Sequence, residues 1–238
     1  MKIELLLACA FTTSLANVNA VGVDEKVRDM VVYAGKVFDN PDYARRMYTA
    51  AFELCGNETN RFARILVDLA KTNNIKIANQ SIRLLGFYGG PEQLPFLHAC
   101  LTNASLASSA AISLLKVEGC TPANMGTYDD FLSNTNITQE ARSDFARVLT
   151  HAAYRWDFPA TNRSLAVNSV LRYAATANEY FLPLDTTLMY SDESYRISRR
   201  RLAVLRSVRD LEINSYQLNY VTNAINELVA YPEADLPE

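Results

Sequence analysis

The most constraining feature of this chain is a helix start that recurs along it. Asn40 is followed by Tyr43-Ala44, Asn74 by Ile77-Ala78, Asn103 by Leu106-Ala107 and Asn162 by Leu165-Ala166. Weaker versions stand at Thr138, with Ala141-Arg142, and at Ser194, with Ile197-Ser198. Seven residues after each start comes Met47, Ser81, Ala110, Phe145, Ser169 or Arg201, and eleven after it Ala51, Leu85, Leu114, Leu149, Tyr173 or Leu205. An Asn, Ser or Thr side chain at such a start accepts hydrogen bonds from first-turn N–H groups that have no partner within the helix. Positions three, four, seven and eleven after it fall on one helical stripe. Small residues on that stripe let a second helix backbone approach closely. The starts recur about every 30 residues, inside the range of helical repeat periods.

Between these helices the sequence places shorter ones over Asn60–Thr72, Pro91–Leu101, Ala123–Ser133 and Glu179–Tyr190. "FYGGPEQLPFL", Phe87 to Leu97, reads as a helix end, a Gly-Gly turn and a new helix. Pro91 sits near its start, where a missing N–H costs nothing. "NASLASSAAISLL", Asn103 to Leu115, is a helix with almost no charge and therefore no well-solvated face. Such a helix suits the middle of a stacked array, where neighbours cover it.

The run "IANQSIRLLGFYGGPEQLPFLHACLTNASLASSAAISLL", Ile77 to Leu115, resembles HEAT repeats. The resemblance implies an all-α fold, a right-handed α-solenoid of stacked antiparallel helix pairs. It is carried by Asn60 to Gly119 and again by Thr138 to Leu211. The chain departs from the family pattern in two ways: Asn often stands at the cap, and most cations of the family's inter-repeat polar ladder are missing. A helical bundle without repeats is the alternative.

Residues 1–20, "MKIELLLACAFTTSLANVNA", have the charged, apolar and small-residue order of a secretory signal peptide, with cleavage expected after Ala20. The repeat domain is then 21–231, with an acidic, Pro-containing and frayed tail over 232–238. Export predicts a secreted or periplasmic protein. No later apolar run approaches the roughly 20 residues of a membrane span. Without the leader, Cys55, Cys100 and Cys120 remain, and are read either as three buried small hydrophobes or as one disulfide plus a free thiol. Sequons occur at Asn57, Asn79, Asn103, Asn136 and Asn162, but the ones at Asn103 and Asn162 arise from the cap pattern and Asn79 lies within a predicted helix.

The sequence carries no G-x-S-x-G, H-E-x-x-H, P-loop or Rossmann fingerprint. His98 reads as a structural histidine, and Asp129 and Asp130, being adjacent, do not face each other on a helix. No cofactor or metal is implied. Positions five, six and nine after the starts collect Arg45, Arg46, Asn79, Gln80, Arg83, Arg147, Arg199 and Arg200. The resemblance implies that second helices line a concave, partner-binding surface, so these residues would form a basic, amide-rich strip. Such a strip suits another protein, an acidic peptide or a glycan, whereas the net charge of −3 argues against nucleic acid. The expected function is non-catalytic protein interaction or scaffolding. The alternatives are a small-molecule or enzyme-accessory site near His151, Tyr154 and Trp156, and a structural envelope component. Arg201 falls on the buried stripe and needs a carboxylate, for which Asp185 and Asp192 are the candidates.

Overall fold

A computed structural model of the protein describes residues 22–36, 41–156, 158–177, 181–211 and 213–237. The leader and the Asn40 start lie outside the described residues. Among the described residues all regular structure is helical: α1 (Val23–Ala34), α2 (Pro41–Leu54), α3 (Thr59–Ala70), α4 (Ile75–Tyr88), α5 (Leu94–Cys100), α6 (Ala107–Glu118), α7 (Met125–Ser133), α8 (Gln139–Arg155), α9 (Ala160–Ala174), α10 (Phe181–Ser191), α11 (Glu193–Arg196), α12 (Arg199–Arg209) and α13 (Ser215–Val229). Short 3-10 turns cover Pro91–Gln93 and Glu233–Asp235. None of these helices is long and apolar enough to cross a membrane.

Consecutive helices pack on one another: α1 on α2, α3 on α4, α5 on α6, α7 on α8, α9 on α10 and α12 on α13, and α8 also packs extensively on α9. Contacts also skip one helix, or two where the short α11 intervenes. α4 packs on α6, α6 on α8, α8 on α10 and α10 on α13; α1 packs on α3, α7 on α9 and α9 on α12. Ion pairs bridge members of the second set, Arg28 to Asp68 at 2.6 Å, Arg61 to Asp24 at 2.7 Å and Arg172 to Asp129 at 2.7 Å.

Charge is scarce on α6 because three neighbours cover it: α4, α5 and α8. Ser109 and Ser113, four apart, face α4. Asn79 Nδ2 donates to the Ser105 carbonyl just ahead of α6 (2.9 Å), Arg83 Nε to Ser109 Oγ (3.2 Å), and Ser113 Oγ to the Ile82 carbonyl (2.7 Å). A Cβ at Gly86 would lie 3.0 Å from the Ser113 Cα, so the two backbones meet where neither residue has bulk. The Gly-Gly turn follows from sterics as well. A Cβ at Gly89 would come within 2.4 Å of the Leu85 carbonyl oxygen.

The cap pattern holds in part. Asn74 Oδ1 accepts from the N–H groups of Lys76 and Ile77, and Thr138 Oγ1 from that of Ala141. Asn103 instead organises the turn before α6, accepting from the Ser105 N–H, and α6 begins at Ala107. Asn162 lies inside the first turn of α9, whose N-cap is Pro159. Near the end of the chain the caps are Asp192, Ser198 and Asn214, and Ser194 is not one of them.

The spacing misleads after Thr138. The seventeen-residue α8 fills most of the stretch up to Asn162, leaving no room for an intervening helix. Consequently α9 opens a new pair instead of continuing the α4, α6, α8 series, which α10 continues.

Residues 232–237 of the C-terminal segment lie against α12. Leu236 is 2 % exposed. The Arg199 N–H donates to the Pro237 carbonyl and its Nε to that of Leu236, both at 2.8 Å, while Arg206 pairs with Glu233 at 3.1 Å. One apolar residue and two α12 arginines suffice to dock 232–237.

Candidate functional site

The Asn74 cap fixes the phase of α4, which turns Lys76, Gln80, Arg83 and Phe87 to one side at steps of three and four. Two depressions flank that side. Toward α2 lies a half-open, mainly apolar cavity of about 460 Å³, walled by Ala34, Pro41, Ala44, Tyr48, Leu84, Phe87 and Tyr88, with Arg45, Thr49 and Gln80 also lining it. Toward α6 lies a shallower one of about 470 Å³, lined by Ile75, Lys76, Asn79, Gln80, Arg83, Ser108 and Ser109. Gln80 belongs to both.

Its floor is rigid. Phe52, Phe62 and Tyr88, from α2, α3 and α4, pack with ring centroids 5.0–5.5 Å apart. Tyr48 is 7 % exposed, and burial raises its phenol pKa while a hydrogen bond with Gln80 partly opposes the rise. Phe87 is the reverse, an aromatic ring left 68 % exposed. The Lys116 ammonium of α6 stands 3.4 Å from the centre of that ring. Burial, and secondarily the Arg83 charge, lower the Lys116 pKa to about 8.

The structure brings Arg45, Asn79, Gln80 and Arg83 to this surface. Asn79 has spent its amide N–H groups on the Ile75 and Ser105 carbonyls. Arg46 is exposed beside Arg45, whose own nearest carboxylate is Asp42 at 3.7 Å. The other three basic residues sit elsewhere. Arg147 pairs with Asp144 on α8 at 3.1 Å, Arg199 holds the C-terminal segment, and Arg200 lies 3.5 Å from Asp192. Both Arg199 and Arg200 belong to α12, outside the α4, α6, α8 series, because the register changes at α9. Sequence reasoning missed Phe87 and Lys116. Phe87 is one helical step beyond Arg83 on the same stripe, and following the stripe to the helix end would have reached it.

At the alternative location, Tyr154 donates its hydroxyl to Asp192 at 3.0 Å, and burial and that carboxylate raise its pKa to about 12. Burial, then Arg155 and Arg147, lower the pKa of His151, and Trp156 packs edge-on against Phe158. His98 Nε2 contacts Glu118 Oε1 at 3.1 Å, within the α5–α6 pair.

Cys55, Cys100 and Cys120 are free and buried, as the hydrophobe reading of the cysteines expected. Burial raises all three thiol pKa values, that of Cys120 to about 11. At the Asn79 sequon the amide donates to two backbone carbonyls and Ser81 is fully buried. Among the described residues no cluster of three or more His, Cys, Asp or Glu could hold a metal ion. No protein-family model matches the chain, and searches of curated proteins and of solved structures find no match either.

Proposed function

We propose that the chain is an exported, HEAT-like right-handed α-solenoid that acts as a non-catalytic protein-interaction module. Its partner lies across α2, α4 and α6. Helix pairing supports the solenoid: α4, α6, α8, α10 and α13 form one series of contacts, and alongside it α1 packs on α3, α7 on α9 and α9 on α12. The ion pairs Arg28–Asp68, Arg61–Asp24 and Arg172–Asp129 join first helices of different pairs, in the manner of an inter-repeat polar ladder. The leader-like composition of 1–20 supports export.

One observation carries the interaction reading. α4 presents Lys76, Gln80, Arg83 and Phe87 beside an apolar cavity, and the helix contains no acidic residue. Exposed aromatic and arginine side chains next to a preformed cavity are the usual anchors of protein interfaces.

The test is cross-linking capture from the secreted or periplasmic fraction with wild-type chain and an Arg45→Glu/Arg46→Glu/Arg83→Glu variant. A partner held by wild type and lost by the folded variant supports the module. Capture that is indifferent to the reversal contradicts it.

A further inference from the structure

We infer that the α2–α4–α6 surface recognises an acidic peptide segment through one large apolar side chain seated between α2 and α4, with neighbouring carboxylates reaching Lys76 and Arg83 across Gln80. This rests on the interaction-module reading and names its ligand class.

Three features converge on this chemistry. A cavity of about 460 Å³ walled by Tyr48, Leu84, Phe87 and Tyr88 accommodates an aromatic or long aliphatic side chain. Its mouth is aromatic, since Phe87 stays 68 % exposed instead of folding into the core. An isolated glycan would leave these walls bare, so the apolar cavity favours a peptide over a sugar.

Charge supplies the second feature. Arg83 and Lys116 approach closely enough for the arginine to disfavour the lysine's charge. Among the described residues no carboxylate forms an ion pair with Lys76, Arg83 or Lys116. Like charges held together without a counter-charge are relieved by an incoming anion. Ser109 fixes Arg83 through Nε, so its guanidinium is oriented before a ligand arrives.

Gln80 supplies the third. It lies between the two depressions and hydrogen-bonds Tyr48 on one side. A side-chain amide there can both donate to and accept from a peptide backbone crossing α4.

The experiment uses fluorescence anisotropy on the full chain with three labelled peptides: Asp/Glu residues around a single Phe, the same with Phe replaced by Ser, and the same with every carboxylate amidated. The first peptide is expected to bind, and each peptide change to weaken it at least about tenfold. Arg83→Glu, Lys76→Glu and Ala44→Phe, which fills the cavity, should each do likewise; Thr49→Trp plugs the rim if Ala44→Phe fails to fold. Equal binding of the amidated or Phe-less peptide would overturn the inference. So would heparin binding where the first peptide does not, or self-association abolished by Arg83→Glu, which would make a second copy the occupant. If no peptide binds yet charge reversal still abolishes partner capture, the peptide assignment fails and the module reading stands.

Discussion

Arg201 and Asp185, sixteen residues apart on α12 and α10, form a buried ion pair that joins four helices. The guanidinium donates to both carboxylate oxygens at 3.1–3.3 Å, to the Arg196 carbonyl and to the Tyr220 hydroxyl. Asp185 also accepts from Tyr195 at 2.9 Å and Tyr220 at 2.7 Å. A charge this buried survives because nearly every donor and acceptor around it is used. Arg201→Ala leaves Asp185 as an unneutralised buried carboxylate, and should cost about 3–5 kcal/mol in urea unfolding. Unchanged stability would show that the pair is not formed.

The same network sets an alkaline limit. Burial, followed by the Asp185 charge, raises the Tyr220 pKa to about 12. The folded state therefore holds a proton that the unfolded state releases near pH 10, so this contribution is complete below pH 10 and is lost between about pH 10 and 12. Tyr220→Phe should flatten that part of the stability–pH curve. A variant curve parallel to wild type would exclude Tyr220 as its source.

Lys116 has the opposite sign. Its folded pKa of about 8 lies below the ordinary 10.5, so stability gains as pH rises from about 8 to 10.5 and the charged form is a liability below pH 8. Lys116→Met, which keeps the stem over Gly86 and Phe87, should raise stability at pH 7 and give less gain at pH 10. Destabilisation at pH 7 would show that the ammonium–ring contact outweighs desolvation and Arg83.

Gly86 is where α4 and α6 meet. Gly86→Val pushes a branched side chain into Ser113 Cα, 3.0 Å from the Cβ position, and should cost about 1–3 kcal/mol despite better helix propensity. A stabilised variant would mean the helices are farther apart.

The three cysteines should be invisible to a thiol reagent in the folded chain and titrate together on denaturation. Burial and raised thiol pKa values both suppress the reactive thiolate. Rapid labelling of one thiol in native buffer would place it at the surface.

How far the fold could be read from sequence depended on spacing. Asn74 and Thr138 announce α4 and α8 because each caps by direct hydrogen bonding. The need for a carboxylate partner led to Arg201–Asp185, since inward charge leaves few options. Asn162 misled because its N-x-S-L-A pattern marks stripe positions without fixing which helix of a pair carries them, and α8 is longer than its neighbours. For the candidate site, helical phase put Arg45, Gln80 and Arg83 on one surface, and they line the depressions beside α4. The cavity beside them was not legible, because it comes from the packing of Tyr48 of α2 against Leu84 and Tyr88 of α4. Leu236 was equally hidden, one apolar residue among acids and prolines.

Stacking of helices across an intervening one is the claim on which the rest stands, and nuclear Overhauser spectroscopy of the unmodified chain tests it most directly. Cross-peaks between the α protons of Gly86 and the α proton of Ser113 are expected, since α4 and α6 touch there. A fully helical spectrum with both residues assigned and no such cross-peak would contradict the account.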